Sequence, residues 1–132
     1  MKKNKFLLLF LLLFLFTVTV SAQARLTVQN NSGRLMTVKV MKGSGKGTLH
    51  ETIAVQPWSS NTVYFSESGT YFTKTKATIS GRDPVYRKGG LFQVTNDSTG
   101  YSVMTLSFSI KESSVPQVTG GKLISKSEFD QN

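Results

Sequence analysis

The sequence of 132 residues contains no cysteine, one histidine and only seven acidic residues. Without cysteine the chain cannot form disulfides, bind a metal through thiolates or attack a substrate with a thiol. Small exported domains often use disulfides to supplement a thin core. Because this chain has no cysteine, it must hold its fold by packing alone. His50 is the only histidine available for acid–base chemistry. Its alternation with Thr52 and Ala54 predicts an exposed position on a strand.

Groups that enzymes use for proton transfer are correspondingly scarce. A Ser-His-Asp triad would have to use His50, and no Gly-x-Ser-x-Gly motif offers its serine. Glu67, Asp83 and Asp97 fall in predicted turns, and turn propensity accounts for most of the acidic residues. No His/Cys cluster and no Asp-rich calcium loop occurs. The sequence therefore predicts a protein that is not an enzyme, with no cofactor and no metal site.

The first 24 residues have the three-part plan of a secretory signal peptide. Lys2, Lys3 and Lys5 precede an unbroken run of Leu and Phe over residues 6–16, and small residues follow. Cleavage after Ala22 or after Ala24 would suit a signal peptidase. A membrane anchor is the alternative, but the run is well short of the roughly 20 residues that span a bilayer. With no cysteine for lipidation, we expect a secreted or periplasmic bacterial protein and not a lipoprotein.

The chain is strongly basic even without this leader. Three of its 16 Lys and Arg residues lie in the leader, which leaves 13 against seven acidic residues and a net charge of +6. A basic exported domain meets anionic partners such as acidic glycans, lipid headgroups or nucleic acid released from cells. Solubility alone is the other explanation of the charge. Specific recognition of nucleic acid is not expected.

Alternating apolar and polar residues predict a β-rich fold. In residues 101–111, Met104, Leu106, Phe108 and Ile110 alternate with polar residues, as in a strand with one buried face. Turn signals recur about every 8 to 12 residues, and no helical period appears between residues 25 and 112. We expect an all-β domain over residues 25–112, a single small antiparallel β-sandwich of about seven to eight strands. A small β-barrel is the alternative, and the oligomeric state stays open.

Two glycine-rich or polar segments flank this pattern. Residues 43–47 contain Gly-x-Gly and Lys46, but a phosphate loop would lead into a helix. Since an alternating strand follows, a hairpin tip is predicted there. Residues 113–132 read as a flexible tail, in which Ser125 and Glu128 have the spacing of a capping box for one helical turn.

Basic and aromatic residues are interleaved between residues 71 and 88. Lysine and arginine can hold phosphate, sulfate or carboxylate, while aromatic rings can stack on sugars or bases. The alternating pattern places Lys74 and Lys76 on a face that should lie in solvent. The same lysines are also typical of an edge strand protected from aggregation. The candidate ligand-binding residues here are Tyr71, Phe72, Lys74, Lys76, Arg82, Tyr86, Arg87 and Lys88.

Trp58, the only tryptophan, is a further candidate ligand-binding residue. It follows Pro57 in a predicted turn. There it could grip a sugar face or a membrane interface, or plug one end of the sandwich.

These features favour a non-catalytic binding module for a glycan or another cell-surface component, with an anionic glycan, an envelope component or a protein as partner. The alternative is a membrane-active protein, lipid-binding or lysin-like, which attaches to anionic lipid through its basic and aromatic face.

Overall fold

A computed structural model describes residues 23–113 and 115–132. The predicted signal peptide lies outside the described residues, except for Gln23 and Ala24. The first half of the fold contains β1 (Ala24–Asn31), β2 (Leu35–Lys42), β3 (Thr48–Val55), β4 (Ser60–Phe65) and β5 (Gly69–Thr78). The remainder contains β6 (Val85–Lys88), β7 (Phe92–Val94), β8 (Asn96–Asp97), β9 (Gly100–Tyr101), β10 (Val103–Lys111), β11 (Gln117–Thr119), β12 (Lys122–Leu123) and the helix α1 (Lys126–Asp130).

The strands form two large sheets and a small one. The first large sheet has the order β11-β10-β1-β4, and the second has the order β12-β6-β5-β2-β3, with β7 also paired to β5. Strands β8 and β9 form a two-stranded sheet by themselves. The all-β prediction is confirmed, and both large sheets are open rather than closed into a barrel.

The two large sheets share one apolar core. Leu26, Val28, Phe108 and Ile110 of the first sheet belong to the same buried cluster as residues of β2, β3 and β5. Met104 and Leu106, which alternate with polar residues along β10, pack against that cluster. The prediction that Met104, Leu106, Phe108 and Ile110 lie on the core-facing side of this strand is therefore correct.

One pairing departs from the antiparallel arrangement expected. β1 and β10 run parallel, with Arg25 opposite Val103 and Asn31 opposite Ser109. Every other strand pair among the described residues is antiparallel. A parallel neighbour requires a long connection, and here that connection contains every strand of the second sheet except β12. The first strand of the domain is thereby held between β4 and a strand near the other end of the chain.

Buried polar side chains hold the connections at one end of the sheets. Arg34, only 1% exposed, donates to both carboxylate oxygens of Glu112 and to the carbonyl oxygens of Ala77 and Asp83. The side-chain amide of Asn30 donates to the carbonyl oxygens of Arg34, Val55 and Gln56. These bonds tie the β1–β2 turn to the ends of β3, β5 and β10.

The C-terminal residues, predicted to be a flexible tail, pack against the sheets. β11 pairs with β10 and β12 pairs with β6. Ser125 caps α1 by accepting from the backbone N–H of Glu128, which is the bond that the capping-box spacing predicts. Phe129 is buried against the ring of Tyr86, with 5.6 Å between ring centroids. The described part of the chain contains no helix long and apolar enough to cross a membrane.

Candidate functional site

Four lysines stand side by side across the outer face of the second sheet. Lys39 of β2 is directly opposite Lys74 of β5, which is opposite Lys88 of β6, which is opposite Lys122 of β12. Directly paired residues point to the same face of a sheet, and neighbouring strands lie about 4.8 Å apart. We call these four residues the lysine row. Like charges in this position repel one another. The four ammonium groups therefore need hydrogen-bond acceptors or negatively charged groups beside them.

The C-terminal segment supplies those partners for one half of the row. The Lys74 ammonium group donates to the carbonyl oxygens of Glu128 at 2.8 Å and Gln131 at 2.5 Å. Lys39 donates to the carbonyl oxygen of Phe129 at 3.0 Å and lies 4.6 Å from the centroid of the Phe129 ring. The last carbonyls of a helix carry partial negative charge and attract cations. α1 is therefore fixed on the sheet by two lysines beneath it.

This arrangement corrects the expectation that the basic face of β5 lies in solvent. Lys74 is only 3% exposed because residues of α1 cover it. The explanation of Lys74 and Lys76 as protection for an edge strand is also wrong. β5 lies inside the sheet, with β2 on one side and β6 and β7 on the other.

A cleft of about 460 Å³ opens between α1, the outer face of the sheet and the tip of the β2–β3 hairpin. Three cationic side chains line this first cleft, namely Lys46, Lys74 and Lys88. The opposite wall carries polar groups from the C-terminal segment: Ser125, Ser127, Glu128 and Gln131. Ammonium groups bind carboxylate, sulfate or phosphate, and the hydroxyl and amide groups suit the hydroxyls of a sugar. The chemistry of the first cleft fits a polar anionic ligand.

Burial and the crowding of positive charge both act on Lys74. Burial lowers its pKa, and the neighbouring charge of Lys39 lowers it further. Glu128 acts in the opposite direction, while Lys88 and Lys46 add to the lowering. A bound anion would counter the repulsion among these ammonium groups.

A second cleft, also of about 460 Å³, lies on the other side of Lys88. It shares Lys88 and Glu128 with the first cleft and adds Lys122. Its remaining lining residues are Gly89, Gly90, Leu91, Gly121 and Ile124. The ammonium nitrogen of Lys88 and a carboxylate oxygen of Glu128 are 4.0 Å apart, and both side chains are partly exposed. Among the described residues, this loose ion pair is all that the linings of the two clefts share.

The aromatic residues predicted to stack on a ligand are occupied elsewhere. Tyr71 belongs to the core between the sheets and is 1% exposed. Phe72 lines the first cleft, but it too is 1% exposed, and the Lys88 ammonium group lies 4.7 Å from the centroid of its ring. Tyr86 packs on Phe129. The burial of Tyr71 and Phe72 leaves neither ring face free to stack on a ligand.

Both predicted arginines lie apart from the lysine row. Arg87 points to the opposite side of β6 from Lys88, and its guanidinium donates to the carbonyl oxygens of Val118 and Gly121. Arg82, in the turn after β5, has its Nε 3.5 Å from Glu112. They line a third cleft of about 490 Å³ that also contains Pro84, Val118 and Leu123. Lys76 shares the face of the row, opposite Tyr86, outside the lining of the first two clefts.

Trp58 is exposed and lies at the far end of β3 from the first cleft. Its side chain is 71% exposed, so it does not plug the end of the two sheets. Its φ of 58° makes it the only residue other than glycine with a positive φ in the described part of the chain. β3 separates the Trp58 turn from the hairpin tip by eight residues, about 25 Å of extended chain. Trp58 is therefore independent of the lysine row.

Local sequence patterns do not reveal half of the lysine row. They do not single out Lys39 and Lys122, and they place Lys46 only in a hairpin tip. The pairing of four strands brings the row together, and no local pattern reveals which lysines become neighbours. The spacing of Ser125 and Glu128 predicts a helix cap but does not reveal that they form the wall of a cleft.

Comparisons with protein-family models, curated proteins and solved structures find no match.

Proposed function

We propose that this protein is an exported, non-catalytic β-sandwich module that binds an anionic glycan at the first cleft. The sandwich is supported by the two open sheets and the apolar core that they share. Export is supported by the signal-peptide pattern of residues 1–24. The ligand assignment is supported by the accessible cations Lys46 and Lys88 on one polar cleft, with the buried charge of Lys74 behind them.

The shape and polarity of the first cleft favour a sugar acid over an apolar ligand. Its volume of about 460 Å³ is within the usual range for small-molecule sites. Pockets for apolar ligands are lined mainly by hydrophobic and aromatic side chains, whereas this one is lined mainly by ammonium, hydroxyl, amide and carboxylate groups. A sugar that carries an acid group can pair with the cations of the cleft and also bond its neutral hydroxyl and amide groups.

The test is calorimetric binding of residues 23–132 to acidic and neutral oligosaccharides of equal length, at low and high salt. We expect binding of the acidic sugars only, weakening as salt screens the charges. Lys46→Gln should weaken it about fivefold, the value of an exposed ion pair near 1 kcal/mol. Lys111→Gln makes the same charge change on an exposed residue of β10 outside the cleft, and should bind as the unmodified protein does. Equal affinity for neutral sugars, or equal losses in both variants, would contradict the proposal.

A second candidate function is attachment to a lipid surface, and the exposed indole of Trp58 is the observation that favours it. Tryptophan is enriched at membrane interfaces, where one part of the ring is apolar and the other polar. Co-sedimentation with anionic liposomes that is lost in Trp58→Ser but kept in Lys46→Gln would support this function. If the protein does not bind liposomes, this second function is contradicted and glycan binding remains as the proposed function.

A further inference from the structure

We infer that the first and second clefts are two parts of one groove, which takes a linear polysaccharide with regularly spaced acid groups. This rests on the proposed function and names its substrate class. The lysine row crosses four strands at a regular spacing of about 4.8 Å. The three cations that α1 leaves uncovered, Lys46, Lys88 and Lys122, follow one another along the two clefts. They match a chain whose acid groups also repeat, whereas a single small anion uses only one or two of them.

Lys88 and Lys122, the half of the row that α1 leaves uncovered, connect the two clefts. Lys74 lines the first cleft, Lys88 lines both and Lys122 lines the second. The other half is not available. Lys39 already bonds the carbonyl oxygen of Phe129 and the side chain of Asn132, and Lys74 is buried and bonds the carbonyl oxygens of Glu128 and Gln131. A ligand that enters at Lys46 and passes Lys88 therefore leaves at Lys122.

Glu128 is the divider between the two parts. Its carboxylate faces Lys88 at 4.0 Å, at the outer limit of an ion pair, and its side chain is 46% exposed. An exposed pair at this distance contributes little stability, so a polyanion can replace Glu128 as the partner of Lys88. The negative charge of Glu128 opposes this replacement and sets a cost that only a ligand long enough to reach Lys122 recovers.

The test compares oligogalacturonates of two and six sugar units, with sulfated oligosaccharides of the same lengths as a second series that identifies the acid group. We expect the longer chain to bind more tightly to residues 23–132. Lys122→Gln should weaken the longer chain about fivefold and leave the shorter one unchanged, whereas Lys46→Gln should weaken both. Glu128→Gln should strengthen the longer chain by a similar factor. Lys111→Gln serves as the control for net charge, and circular dichroism verifies that each variant is folded.

Each outcome separates this inference from the proposed function. Binding without dependence on chain length, or equal losses of both lengths in Lys122→Gln, would overturn the groove and leave the single-cleft proposal standing. Failure of both series at both lengths would overturn the proposed function together with the groove. A length dependence that Lys122→Gln abolishes would support the groove, whichever acid group the ligand carries.

Discussion

At the scale of single residues, Trp58 combines exposure with an unfavourable backbone. Its φ of 58° lies in the left-handed region, which costs a residue with a side chain about 1–2 kcal/mol relative to glycine. Its N–H donates to the carbonyl oxygen of Ser32 at 3.1 Å, which holds the turn in place. Residues kept in such conformations cluster at functional sites, and the exposed indole of Trp58 fits that pattern.

We expect Trp58→Gly to be more stable than Trp58→Ala by about 0.5–1 kcal/mol. Glycine removes the strain, while its greater freedom in the unfolded chain cancels part of the gain. Alanine is the matched control because it also removes the indole but keeps a Cβ atom. Denaturant unfolding followed by circular dichroism measures the difference. Equal stabilities would mean that the turn relaxes around any side chain at no cost.

The ion pair between Arg34 and Glu112 predicts a dependence of stability on pH. The hydrogen bond from Arg34 lowers the pKa of the Glu112 carboxyl below its ordinary value of 4.5, and the charges of Arg34 and Arg82 act in the same direction. A carboxyl whose pKa is lowered by folding stabilises the protein above its unfolded pKa and loses that contribution as the pH falls through its folded pKa.

Glu112→Gln should therefore lower the melting temperature at pH 7, and the difference from the unmodified protein should shrink as the pH falls below about 4.5. Other carboxyls titrate in both proteins, so their contributions cancel in this comparison. Glu51→Gln is the control, since Glu51 is exposed and outside every ion pair formed by the described residues. A difference that stays constant down to pH 3 would show that the charge of Glu112 is not what stabilises the fold.

At the scale of elements, α1 depends on one apolar side chain. A helix of five residues does not persist by itself, so its position depends on Phe129, together with Lys39 and Lys74 beneath it. Phe129 is 4% exposed and packs on Tyr86. The wall of the first cleft is consequently only as stable as this docking.

Phe129→Ala should release α1 from the sheet. Loss of a buried phenylalanine costs about 3 kcal/mol or more, which would raise the population of the detached segment about a hundredfold if the rest of the fold stays intact. Limited proteolysis near residue 125 measures this population. Leu123→Ala is the control, because Leu123 is 68% exposed in the same segment. Unchanged cleavage of the Phe129 variant would show that the lysine contacts alone hold α1.

The sequence predicts which segments form strands better than it predicts which segments pack against them. The alternation around Phe108 and Ile110 identifies the buried face of β10, because burial of one face imposes a period of two. Alternation in β5 likewise places Lys74 on the face away from the core, but it does not indicate which residues cover that face. The cover comes from Phe129, a lone apolar residue in a polar segment. Its docking depends on long-range contacts with Tyr86 and Lys39 that no local pattern contains.

At the scale of the whole molecule, the start of β1 restricts where an exported form can begin. Ala24 is fully buried, belongs to the core and pairs with Phe65 of β4. Cleavage of the predicted signal peptide after Ala24 would remove this core residue, whereas cleavage after Ala22 leaves it in place behind an exposed Gln23.

We therefore expect Gln23 to be the first residue of the exported protein. Mass spectrometry of the protein recovered from the periplasm or the medium identifies this residue directly. As a second measurement, a chain that starts at Arg25 should unfold at a lower temperature than one that starts at Gln23. An exported form that begins at Arg25 with full stability would contradict the role given to Ala24.

The parallel pairing of β1 with β10 has a consequence for the passage of the chain through a membrane. A chain secreted through a narrow channel must stay unfolded until it has crossed. β1 would emerge first, but its partner Val103 follows 78 positions after Arg25, and contacts between such distant residues form slowly. In the export proposed above, the first sheet would not be completed while β10 had yet to cross. The topology would thus delay folding until most of the chain had crossed.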